Sequence, residues 1–317
     1  MGASGQEGRD RMRILHLKNV AGYASRLAQA QRQLGHDAVV WSRGETYGFP
    51  YDTLMPSGPQ WNLWMLRRWT QLHNFDVLHI HGGIYRGEVF YPLFKRLTEI
   101  RTIVHYHGTE SRLGGGLYHR KVADKVFFTP PDLWTYHPGG MWIPQPIDLP
   151  EPVETFEHDV PMFAHFAGTS KGTSLVIEMF NRTFGPLRHT RLDFPQGGHK
   201  DFYIGNDAGL WVLTGIPYNG VLQVMKRADV VFDQIAPFGI YGYVAVEAMA
   251  LGRPVLATVD RSLYPSDCPV IYPRETKLME LAHDAASREH YCKLGRAYAE
   301  RVHEASVVAR LVLDAYF

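Results

Sequence analysis

Short apolar runs alternate along the chain with stretches whose apolar positions recur every three to four residues. Residues 13–18 (RILHLK) form the first run and predict a strand. A turn at Asn19, Ala21 and Gly22 follows, then a helix over 23–34 closed by Gly35, then a second strand over 38–41. A strand–helix–strand opening of this kind belongs to a parallel α/β sheet. Residues 76–80, 102–105 and 126–129 continue it as strands. A proline-rich passage from Pro130 to Pro152 then interrupts the pattern, which places an interdomain linker at 144–160. A second α/β half runs from Val160 to about Pro273. From Thr276 to Phe317 the spacing of Leu278, Leu281, Leu294, Val302, Val307 and Leu311 predicts helix. The resulting boundaries are 13–150 and 158–290 for two α/β domains and 291–317 for a terminal helix.

The segment from Ala228 to Val259 is the most informative. Val230 to Phe232 read as a buried strand. A loop with Gly239 and Gly242 leads into a helix over 243–251, which Gly252 and Pro254 close, and Val255 to Val259 form the next strand. Ligands of open parallel sheets bind at the carboxyl ends of such strands. A glycine-bearing loop feeding a helix offers backbone N–H groups to an anion, usually phosphate. Glu247 lies about one turn into that helix, and helical side chains lean towards the N-terminus. Two readings stand side by side: the carboxylate accepts hydrogen bonds from a ligand diol, or it offsets the helix dipole. Lys171, Gly172 and Thr173 follow another apolar run, 161–167, and precede a helix, where a lysine neutralises a diphosphate or is simply solvated.

Composition narrows the classes. With 45% apolar and 21% charged residues, the 317-residue chain is that of an ordinary globular protein with two domains. A net charge of +1 predicts no bulk affinity for nucleic acid. Cys268 and Cys292 make no CxxC pair, so neither a zinc knuckle nor a disulfide framework is expected, and the cytoplasm is the expected compartment. MGASGQEGRDRMR lacks the apolar core of a signal peptide, and no apolar run is long enough to span a bilayer.

Two H-x-H pairs, His79/His81 and His105/His107, sit at predicted strand ends. Period-two spacing puts both members of a pair on one face. Four imidazoles near one crevice either hold zinc, as in a metallohydrolase, or serve as hydrogen-bonded neutral strand ends. In residues 61–75, Trp61, Trp64, Met65 and Trp69 accompany Arg67 and Arg68. This stretch is either an interfacial helix on a membrane face or a helix packed on the first sheet. No G-x-G-x-x-G or P-loop motif is present, which argues against dehydrogenase and NTPase readings.

Tyr241-Gly242, Glu247-Ala248-Met249-Ala250 and Gly252-Arg253-Pro254-Val255 together resemble the nucleotide-sugar site of retaining glycosyltransferases of family 4. NVAGYASRLAQAQRQLGHDA, HFAGTSKGTSLVIEMF and the last helical segment resemble other parts of the same family, so the likeness covers nearly the whole length. The resemblance implies the GT-B fold: two Rossmann-like domains facing across a cleft, with a terminal helix crossing back. It implies a metal-independent hexosyltransferase without a cofactor. The donor would be a UDP- or GDP-sugar and the acceptor a glycan or lipid-linked glycan; the interfacial reading of residues 61–75 adds peripheral contact at the inner membrane face. It assigns Glu247 to the ribose; Lys171, Gly172, Thr173, Tyr241 and Gly242 to the diphosphate; the Ile216 backbone to the base; and Gly22 and His107 to the sugar and acceptor side. His107, Lys171 and Glu247 are the implied catalytic set. Gly239 stands where the family has its first glutamate, and Phe166 where it has an arginine. These two departures also admit a degenerate nucleotide-sugar binder. No two aspartates are separated by a single residue, so the metal-binding D-x-D of the other large glycosyltransferase fold is missing.

Overall fold

The computed structural model describes residues 11–58, 60–84, 88–112, 122–151, 158–168, 171–195, 197–235 and 238–317. The chain divides into two compact units. The first comprises residues 1–129, 133–146 and 305–317, and the second residues 130–132 and 147–304. Part of the expected linker, 152–157, lies outside the described residues.

The first unit is a seven-stranded parallel sheet. Its strands are β1 (Arg13–Leu17), β2 (Asp37–Ser42), β3 (Thr53–Leu54), β4 (Val77–His81), β5 (Arg101–Tyr106), β6 (Lys125–Phe128) and β7 (Met141–Trp142), in the order β3-β2-β1-β4-β5-β6-β7. The central strands are buried on both faces, as their continuous apolar runs require. The Tyr23–Gln33 helix ends where Gly35, at φ 92°, turns the chain back towards β2. Residues 61–75 form two short helices, Gln60–Arg67 and Trp69–Leu72, on the sheet. Trp61 and Met65 are fully buried, and Trp64 and Trp69 pack against the same core. Of the two readings of that stretch, the packed helix matches these contacts.

The second unit is a six-stranded sheet of β8 (Met162–Phe166), β9 (Arg188–Asp193), β10 (His199–Ile204), β11 (Gly209–Thr214), β12 (Val230–Phe232) and β13 (Val255–Leu256), in the order β13-β12-β8-β11-β10-β9. β10 runs antiparallel to both neighbours. The polar edge strand β9 is exposed throughout, and Asp201 holds it through Arg191 and His189. Charged side chains of this kind blunt an open sheet edge.

The terminal segment differs from one continuous helix. It comprises the Glu275–His283 and Ala285–Tyr298 helices, a π turn at Ala299–His303 and a last helix at Ala305–Ala315. The break falls at Glu304, whose ψ of 130° is extended. There the chain pairs with Ile147, whose N–H donates to the His303 carbonyl at 2.8 Å. A tertiary pairing ends the helix where the sequence has neither glycine nor proline. The last helix then packs along the Tyr23–Gln33 helix of the first unit. No helix among the described residues is long and apolar enough to cross a membrane.

Candidate functional site

In the second unit, the chain leaves β8 towards one side of the sheet and returns through β12 on the other. This is the switch point where open α/β sheets hold ligands. Lys171 follows β8 and Asp233 follows β12. The Lys171 ammonium is paired with Asp233 Oδ1, and the Gly242 N–H donates to Asp233 Oδ2 at 2.5 Å. The Asp233 side chain is wholly buried while a fifth of the Lys171 side chain is exposed. The ammonium and helix-tip amide expected to hold a diphosphate thus converge on an internal carboxylate. Gly172, at φ 70°, begins the helix carrying Thr173. A Cβ there would lie 2.1 Å from the Ile235 carbonyl oxygen, so only glycine brings this loop against β12. The Thr173 hydroxyl bonds His165 Nε2 at 3.0 Å. Burial and the neighbouring Lys171 charge pull His165 down to about 4.

Glu247 sits in the Tyr243–Ala250 helix and is buried, accepting a hydrogen bond from the Tyr218 hydroxyl at 2.7 Å. Tyr218 opens the Tyr218–Arg227 helix just after Ile216, which is half-buried. The tyrosine escaped the sequence reading, although its place directly after Ile216-Pro217, at a helix start, was the available signal. Tyr241 is a core residue. Its ring stacks on Tyr264 at 4.3 Å, its hydroxyl bonds Tyr298 and His303, and its N–H is taken by the Tyr264 hydroxyl. Gly239 has φ 64°, and a Cβ there would meet Asp260 at 3.1 Å. A glutamate at this position is disfavoured by both backbone and space.

In the first unit the corresponding switch point lies between β1 and β4. A concavity of about 440 Å³ opens there, lined among others by Lys18, Arg43, His81, Gly83 and Glu110. Lys18 Nζ lies 3.1 Å from Glu88 and donates to the Gly83 carbonyl at 2.8 Å, and Arg43 reaches the same carboxylate at 3.4 Å. Burial lowers the Lys18 pKa and Glu88 opposes that shift. Sequence reasoning missed this trio, because its members are separated by tens of residues and belong to no motif. Gly22, at φ 75°, precedes the Tyr23–Gln33 helix, and the Phe49 ring fills the space its side chain would take. The Tyr23 ring lies 4.7 Å from that of His107, whose backbone N–H donates to the Glu110 carboxylate. Burial holds His107 down at about 3, so its imidazole is neutral. A larger hollow of about 1250 Å³ at the opposite strand ends, beside Arg13, Asp76 and Arg101, contains none of the expected site residues.

Residues 20–142 match the model of the family described as Glycosyltransferase Family 4. The matched stretch lies within the first unit. The expected enzyme class, a glycosyltransferase, is borne out by this match. The whole chain is similar to HepE from Anabaena, solved with UDP-glucose, at 14% identity and a TM-score of 0.66, over 96% of this chain and 99% of that one. It is similar to a glycosyltransferase from Rickettsia africae at 13% identity and a TM-score of 0.66, over 97% and 98%. MurG from Acinetobacter baumannii aligns at 11% identity and a TM-score of 0.50, over 96% and 100%. No curated protein matches the sequence. At these identities the likeness shows the fold. The two units together make the expected GT-B fold of two Rossmann-like domains.

Proposed function

We propose that the protein transfers a sugar from a nucleoside diphosphate donor to a hydroxyl of a glycan or lipid-linked glycan, with retention and without a metal ion. The observation that carries this reading is the convergence of Lys171 and the Gly242 amide on one anionic position at the switch point of the second unit. An ammonium and a helix-tip N–H are the groups that stabilise charge developing on a leaving diphosphate. HepE, of the same fold, was solved with UDP-glucose, which supports a UDP-sugar donor. Glu247 is the residue for the ribose, held in place by Tyr218. Hydroxyl acceptors suit the concavity beside Lys18, Glu88 and Arg43, where charges of both signs are already paired. On this reading the protein acts by positioning and charge stabilisation, and the departing diphosphate takes the acceptor proton.

The reading is tested by melting the protein with UDP, GDP and their sugars, then measuring donor hydrolysis and transfer. A donor bound only by the folded state raises the melting temperature. A shift with one nucleotide series plus slow donor hydrolysis is expected. Binding without turnover identifies the degenerate binder that Gly239 and Phe166 admit, and no shift with any donor overturns the assignment.

A further inference from the structure

Five histidines of the first unit form one hydrogen-bonded array. His16 lies on β1, His79 and His81 on β4, His105 on β5 and His107 just beyond it. The parallel register sets His81 beside His105. The rings of His79, His81, His105 and His107 lie nearly parallel, at 13–29° to one another. The first four histidines are fully buried, and His107 is half-buried.

Their nitrogens trace a single path. His107 Nε2 is 3.0 Å from His81 Nδ1, His81 Nε2 is 3.0 Å from His16 Nδ1, and His16 Nε2 is 2.7 Å from Gln31 Oε1. Gln31 Nε2 donates to the Tyr316 hydroxyl at 3.1 Å. That hydroxyl is 2.8 Å from His79 Nδ1, His79 Nε2 is 3.2 Å from His105 Nδ1, and His105 Nε2 is 2.8 Å from Thr129 Oγ1. Burial is the largest influence on every one of the five rings and favours the neutral form.

A neutral imidazole has one donor and one acceptor nitrogen, whereas an amide oxygen only accepts and an amide nitrogen only donates. Facing the Gln31 oxygen, His16 must carry its hydrogen on Nε2. Its Nδ1 then accepts from His81 Nε2, and His81 Nδ1 accepts from His107 Nε2. On the other arm the Gln31 NH2 takes a lone pair of Tyr316, whose hydrogen has no acceptor but His79 Nδ1 among the described residues. His79 Nε2 then donates to His105, and His105 Nε2 to Thr129. Turning the amide over would reverse every link, and no intermediate pattern satisfies the path.

We propose that Gln31 sets the polarity of this whole array, fixing all five histidines as Nε2–H tautomers and leaving His107 with an unprotonated Nδ1. Gln31 is thus a positioning residue: it determines that His107 offers a lone pair to a hydroxyl rather than an N–H. The array also answers the zinc reading of the H-x-H pairs. Ring nitrogens of His16, His79 and His81, and of His81, His105 and His107, lie within 4.8 Å of one another. Yet every lone pair inside the path already accepts a hydrogen bond, so the three free convergent nitrogens that zinc requires are missing among the described residues. The use of His107 at a sugar rests on the transfer reading. The tautomer assignment does not, so the two fail separately.

Long-range proton–nitrogen NMR of the imidazole rings tests this in the wild-type chain and in Gln31→Met and Tyr316→Phe. Five Nε2–H rings are expected in the wild type. Gln31→Met should let His16, His81 and His107 take both tautomers. Tyr316→Phe should release only His79 and His105. A Nδ1–H ring among the five in the wild type, a stoichiometric metal in the purified protein, or unchanged tautomers in folded Gln31→Met overturns the proposal. Should Gln31→Met fail to fold, the wild-type pattern and the one-armed effect of Tyr316→Phe decide it.

Discussion

Lys171 is ion-paired to Asp233, whose second carboxylate oxygen accepts the Gly242 N–H. The anion position of the second unit is therefore filled by the protein itself. A diphosphate brought there meets a carboxylate of like charge. At about 4 Å and an effective dielectric of about 20, such repulsion is on the order of 4 kcal/mol, more than the roughly 1 kcal/mol lost by loosening the lysine. Asp233→Asn is expected to tighten UDP binding about a hundredfold by calorimetry, and Lys171→Ala to weaken it at least tenfold. Equal weakening by both variants would show that Asp233 serves only to hold the lysine.

Glu247 is buried and fixed by the Tyr218 hydroxyl. Removing one partner of a buried charged hydrogen bond costs about 1–3 kcal/mol. Glu247→Ala should therefore lower the melting temperature and abolish nucleotide binding. Tyr218→Phe, measured in the same melts and titrations, should weaken the nucleotide several-fold while leaving most of the stability.

Gly22 combines a left-handed backbone with a Phe49 ring that lies 2.2 Å from where its Cβ would stand. Gly22→Ala is expected to destabilise the protein by roughly 2–4 kcal/mol, from backbone strain and overpacking together. Phe49→Ala removes only the second cause. Denaturant unfolding of the double variant should show partial rescue, and strictly additive losses would mean that the ring yields freely.

The histidine array makes the first unit sensitive to acid. Folded pKa values are depressed, to about 4 for His16 and about 3 for His107, against about 6.5 when unfolded. The unfolded chain binds more protons below pH 6.5, so this stability is fully present above that pH and is lost as pH falls towards the folded values. A ring with such a depressed value loses about 1.4 kcal/mol per pH unit in this window, so His16 and His107 alone lose roughly 3, a large part of the stability of a domain. Cooperative unfolding of the first unit between about pH 6 and 4 is expected by circular dichroism. His16→Gln should move the midpoint to lower pH.

The architecture was legible where the period of apolar residues was clean. RILHLK, the strand at 76–80 and the 228–259 unit fall within a few residues of the observed elements. β9 and β10 were not anticipated, because RHTRLD, the exposed edge, and HKDFYI, its half-buried neighbour, carry charges and show no apolar run. The terminal break at Glu304 was equally hidden, since its cause is a pairing with Ile147 far away in sequence. Among the expected site residues, Lys171 and Gly242 meet at the Asp233 carboxylate, Gly172 lies against Ile235 and Thr173 bonds His165, while Tyr241 belongs to the core. The hold of Asp233 on Lys171 joins two loops 62 residues apart and left no mark in the sequence pattern. Tyr218, Gln31 and Tyr316 act through neighbours that only the folded chain supplies.

The first unit is completed by residues 305–317, and Tyr316 joins the two arms of the path between Gln31 and His79. At roughly 5–20 residues per second, a ribosome needs about ten to thirty seconds to deliver the intervening unit. Throughout that interval the nascent N-terminal sheet lacks its last helix, and one arm of its imidazole chain has no phenol to begin it. The half of the protein made first is therefore the half finished last.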